Sequence, residues 1–177
     1  MKKIRPAFLV MIILFLVGIV TIQYSDNMKI KNHYGGFVNT RIGWLQFKLT
    51  NTSKYLSSSE IPKKEYLDQT SAALYEDVAL IDGITSSPML LTFVNIINMD
   101  LRKMSINIQV GKSKNEIIVV KQSALDKIST LLNELNYIQD SCKENHIKYY
   151  QLTKSSSPIM NKVDRDLTDY LNKNNIH

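Results

Sequence analysis

The residues with the most chemical potential are few, and each group lacks a neighbour that its chemistry would require. Gly111-Lys112-Ser113 has the ending of a phosphate-binding loop, in which backbone N–H groups curl around phosphate oxygens. That curl needs a glycine five positions earlier, where Ile106 stands, so the segment reads as a surface turn. Cys142 and His146 are four apart, one helical turn, and an imidazole can activate a thiol as a nucleophile. However, Cys142 occupies an apolar position of helical period, which reads as a buried thiol acting as a small hydrophobe.

Metal chemistry meets the same objection. His33, His146 and His177 are widely spaced, and Glu144 lies two positions from His146, a spacing that separates side chains on a helix. Asp164, Asp166 and Asp169 resemble part of a calcium loop, but no glycine or closing glutamate completes it. They read as carboxylates on a helix surface. No G-x-S-x-G elbow is present. We therefore expect no enzyme activity, no cofactor and no metal. Asn51-Thr52-Ser53 matches a glycosylation acceptor, a pattern too frequent by chance to use. The remaining group is aromatic: Tyr34, Phe37, Trp44 and Phe47 fall close together. The sequence reading puts most of it in the core, with a partner-binding face as the functional alternative, because Trp and Tyr make efficient anchors.

What must position these residues begins with residues 6–22, PAFLVMIILFLVGIVTI, which carry no charge. Seventeen helical residues reach roughly 26 Å, the short end of a bilayer core, and Ile4, Gln23 and Tyr24 extend the run. Lys2, Lys3 and Arg5 precede it, and short basic tails stay in the cytoplasm. Subtracting these three from 22 basic residues leaves 19 against 16 acidic ones, too small and too dispersed an excess to suggest nucleic acid. Small residues in an A-x-A-like arrangement are missing between Val17 and Ser25, so an uncleaved anchor is favoured over a cleaved signal. The single cysteine allows no internal disulfide.

Beyond the span, apolar residues recur at alternating spacings of four and three, the period of one helical face. The runs are Val38, Ile42, Leu45, Leu49 and Leu56; Leu67, Leu74, Val78 and Ile81; Leu90, Val94, Ile97, Leu101, Met104 and Ile108; and Ala124, Ile128, Leu131, Leu135, Ile138 and Cys142. The last run extends towards Tyr149 and Leu152, and a short terminal helix uses Val163, Leu167 and Tyr170. Ser87-Pro88 and Ser157-Pro158 read as helix starts, and Gly35-Gly36 as a break or joint. One region is ambiguous: residues 106–110 (INIQV) and 116–120 (EIIVV) flank a polar turn, so 106–120 reads as helix or as a small β-hairpin.

The expected fold is mainly α, with an N-terminal transmembrane helix followed by an extracytoplasmic up-and-down helical bundle. Its parts are a cytoplasmic tail at 1–5, an anchor at 6–24, a juxtamembrane linker at 25–36 and a helical domain at 37–177. Interrupting turns disfavour one long dimeric coiled coil. The expected partners are membrane lipid along 6–24 and a protein of the cell envelope, without nucleic acid. The expected function is a non-enzymatic interaction or accessory module. A ligand-sensing bundle acting through a partner chain is the alternative, and a secreted enzyme with an unrecognised site is the second.

Overall fold

The computed structural model describes residues 6–58, 60–82 and 85–176, without the side chains of 6–9 and 77–82. Among these residues six helices follow in order: α1 (Pro6–Ser58), α2 (Lys64–Asp82), α3 (Pro88–Gln109), α4 (Lys114–Cys142), α5 (His146–Gln151) and α6 (Pro158–Lys173). No strand occurs among the described residues. Helices α1 to α4 close a ring in which each packs on the next and α4 returns to α1. Lys48 reaches the Ala73 carbonyl, Ser105 donates to Asp68, and Gln46 meets Asn136, so the rungs run antiparallel. Helix α6 lies against α3 and α4, and α5 against α1 and α4.

The apolar period accounts for the core. Val38, Ile42, Leu45, Leu49 and Leu56 of α1 are buried, and Thr52 takes the intermediate turn, donating to the Lys48 carbonyl. Leu67 and Leu74 of α2, Leu90 to Met104 of α3 and Ala124 to Cys142 of α4 meet them. Val78 and Ile81 of the second run lie outside the described side chains. Each full burial of such a side chain stabilises by about 1.5–3 kcal/mol. The starts at Ser87 and Ser157 are N-caps that accept from Leu90 N and Met160 N.

One open alternative closes and two expectations change. Residues 106–120 form no hairpin: Gln109 ends α3, Gly111 turns at φ 70°, and Ser113 opens α4 in a capping box with Glu116. Burial of Ile117 and Val120 three apart outweighs the strand preference of their β-branched neighbours. The fourth stripe does not continue as one helix, because Lys143 takes φ 50° and Asn145 caps α5; Tyr149 and Leu152 still reach the core after the turn. Finally, residues 25–36 are helical, and α1 passes through Gly35-Gly36 unbroken. Glycine costs a helix about 1 kcal/mol relative to alanine. Here α5 crosses so closely that a Cβ on Gly35 would overlap the His146 carbonyl oxygen and come within 3.1 Å of Tyr150 N.

Polar groups seal the seams between helices. Asp100 of α3 accepts from Lys127 Nζ at 2.5 Å and Ser123 Oγ at 3.0 Å, and Lys127 also donates to Ser123. Ser71 donates to Asn98 and accepts from Arg102 Nε at 3.0 Å. Glu134 is the exception among the described residues: its buried Oε2 has no hydrogen-bond partner. Burial pushes its carboxyl up, Lys162 opposes this, and Asp166 adds to the rise.

Gly35→Ala should lower stability by roughly 2 kcal/mol, or several degrees in Tm, because backbone blocks the new methyl. Gly36→Ala faces only the His146 ring at 3.4 Å and should be neutral or slightly stabilising. Thermal unfolding of both by circular dichroism tests this, and equal effects would contradict the close crossing. The raised Glu134 carboxyl means that its ionised form opposes folding at neutral pH, an opposition that fades as pH falls through the raised value. Glu134→Gln should therefore raise Tm at pH 7 and gain progressively less in acid; a pH-independent gain would rule out this cause.

Candidate functional site

The groups that sequence spacing singled out for chemistry are occupied structurally. Lys112 pairs with Glu116 at 3.2 Å, and the Ser113 hydroxyl caps α4, so Gly111-Lys112-Ser113 is a helix-joining turn. Cys142 is fully buried, and burial pushes its thiol up to about 11, the reverse of an activated nucleophile. His146 sits on the far side of the Lys143 turn, with its ring against Gly36. Asp164 accepts from Ser87 Oγ and, at 3.3 Å, from Met89 N, neutralising the start of α3 from α6. Asp166 is held below its ordinary value by its hydrogen bond from Lys162, while Asp169 is exposed. His33 is exposed on α1, and His177 lies outside the described residues. Among the described residues no three metal-ligating side chains gather.

The aromatic group is different. Tyr34 turns inward and meets Tyr150 of α5 edge-on at 6.1 Å. Its companions do not follow, contrary to the expectation of core. Phe37 is 40% exposed, Trp44 54% and Phe47 58%. At about 100° per residue these three lie on average well over a right angle around α1 from the buried stripe of Val38, Ile42, Leu45 and Leu49. None of the described helices covers that side. Trp44 and Phe47 stand edge-to-face at 6.0 Å, and the Arg41 guanidinium lies 5.0 Å over Phe37. Thr40 and Gly43 floor a shallow hollow of about 300 Å³ beside Trp44 and Phe47.

Other hollows follow the seams between helices, and one of them, between α1 and α2, is lined by Tyr66, Ala73 and Leu74 beside Lys48 and Asn51. In the groove between α2 and α3, Asp68 already accepts from Lys64 and Ser105, which hold its carboxyl down. Among the described residues of the bundle, the outer face of α1 presents three large rings close together that internal packing leaves uncovered. On the same helix, nearer its start, residues from Val10 onward are exposed, and α1 is long and apolar enough there to cross a membrane. The exposed Asn51 borders the aromatic face.

Sequence reasoning found the aromatic cluster but assigned most of it inward. Projecting both sets on one helical wheel separates them, and that was the available signal. The Asp164 cap and the Lys127–Asp100 pair were out of reach, since nothing local announces a partner 77 or 27 positions away. No known protein family, curated protein or solved structure matches this chain.

In native protein at pH 8, a thiol with a pKa near 11 is thiolate about one part in a thousand, and burial shields it further. Cys142 should resist iodoacetamide until denaturant opens the bundle, with both rates read by mass spectrometry. Prompt alkylation of the folded protein would contradict its place in the core.

Proposed function

We propose that this protein is a membrane-tethered, non-enzymatic interaction module that docks a protein through the outer face of α1. In this reading the apolar start of α1 is an uncleaved anchor, residues 1–5 stay in the cytoplasm and the bundle projects from the opposite side. The observation that carries it is a single helix, Pro6–Ser58, bearing first a stretch apolar enough for a bilayer and then three exposed aromatics. Exposed apolar area on that scale is what docking removes from water, and rings of low flexibility lose little entropy when held. A basic leader before an apolar run supports the orientation.

A photoreactive phenylalanine analogue placed at Phe47 in the full chain, in native membranes, should yield a protein adduct on irradiation. The same analogue at the exposed Lys103 of α3 should not. Equal yields, or none at either position, would count against docking. The anchor predicts that the intact chain stays in the membrane pellet after alkaline carbonate washing. A soluble natural product lacking about two dozen residues would refute the tether, that length being the expected span with its tail.

A further inference from the structure

We propose that the occupant of this face is a second copy of the same chain, paired in parallel as a short left-handed coiled coil along α1. The inference rests on the tethered reading above and deepens it. Ile30, Phe37 and Trp44 are seven apart, and His33, Thr40 and Phe47 follow them by three. All six are exposed, Ile30 by 67%. This is the a/d pattern of a coiled-coil seam, and it lies wholly within one unbroken helix. A parallel pair places each residue opposite its own copy, which requires equal height. Two chains anchored through the start of α1 meet that condition automatically, with Phe37 and Phe47 roughly 20 and 35 Å beyond Tyr24. The three a positions and Phe47 are apolar, the d positions His33 and Thr40 are polar, and the pattern stops at Gln23 and Asp26, where the helix leaves its apolar stretch.

The glycine at position 43 is a second, independent observation. A Cβ there would meet nothing within 4 Å, so the bundle has no use for its absence. Yet a glycine inside a helix is markedly less favourable than an alanine. In a parallel seam with Trp44 at an a position, Gly43 takes the flanking g position, which borders the hole receiving the partner's Trp44. Removing the side chain makes room for an indole. Gly36, one heptad earlier, precedes Phe37 in the same way, but there the His146 ring of α5 would meet a Cβ at 3.4 Å.

Area sets the strength. At about 150–250 Å² per aromatic side chain, the exposed fractions of Phe37, Trp44 and Phe47 leave roughly 300 Å² on each copy. Ile30 brings the pair to somewhat under 1,000 Å², below a standard interface of about 1,600 Å². Such a contact suits chains that a shared membrane holds side by side, where tethering replaces the cost of encounter.

The test uses the full chain in native membranes. His33→Cys, Thr40→Cys and Asn51→Cys fall on the seam, and the exposed Asn32→Cys lies off it; the native Cys142 is buried and serves as the silent background. Mild oxidation should give a disulfide-linked species of twice the chain mass at 33, 40 and 51, at least about five-fold more than at 32, because only seam positions bring two copies of one residue within bridging distance. Gly43→Leu, added to Thr40→Cys, should abolish the doubled species while leaving Tm unchanged or higher. Equal yields at all four positions, no doubling at any, or persistence in the Gly43→Leu variant would overturn the pairing. If the photo-adduct at Phe47 has a mass other than twice the chain, the self-pairing is wrong and docking of a different protein stands. With no adduct at all, both fall.

Discussion

The structure depends on α1 remaining one helix through two adjacent glycines. Left alone, Gly35-Gly36 would be its weakest point, because each residue gives up more backbone freedom than any alternative and offers no side chain in return. The crossing of α5 reverses that balance. Its backbone at His146 and Tyr150 packs where any Cβ on Gly35 would stand, and Tyr34 and Tyr150 close the joint edge-on. A helix of 53 residues, about 80 Å long, is thereby shared between an exposed apolar half and a half that forms one wall of the bundle.

The stripes were legible because burial and period are the same information on a helix. From Val38 to Leu56 and from Ala124 to Cys142, the positions expected inside are inside. The misreadings share a cause: local preference was weighed without knowing what packs nearby. The ambiguity at 116–120 had the same source, since β-branched residues prefer strands in isolation, but Ile117 and Val120 gain more by joining the α4 stripe. Gly35-Gly36 look like a joint until a helix crosses them. Phe37, Trp44 and Phe47 look like core by composition, although their spacing from Val38 already turns them away from it.

Polar contacts between helices were not legible, and they supply what apolar stripes cannot. A stripe of similar side chains tolerates sliding, whereas the pairing of Lys127 with Asp100 and Ser123 is satisfied in one register of α3 against α4. Asp164 does the same for α6, since its carboxylate serves the start of α3 only when Ser87 and Met89 N lie beside it. Burying a lysine is costly unless it is paired, so such contacts penalise alternatives more than they reward the native state.

The two glycines of α1 that matter most have opposite explanations. Gly35 is required by the chain's own packing, and the atoms that require it can be named. A Cβ on Gly43 would meet nothing within 4 Å, yet the glycine sits beside the exposed rings of Trp44 and Phe47. Internal stability alone would replace it with alanine and would trade Trp44 and Phe47 for charged residues, as it has on much of the remaining surface. The proposed docking accounts for a helix that keeps both a stability-lowering glycine and uncovered rings on one side. Because the buried stripe and the outer stripe lie on well-separated sides of α1, the bundle can hold its fold with one while the other stays free to dock.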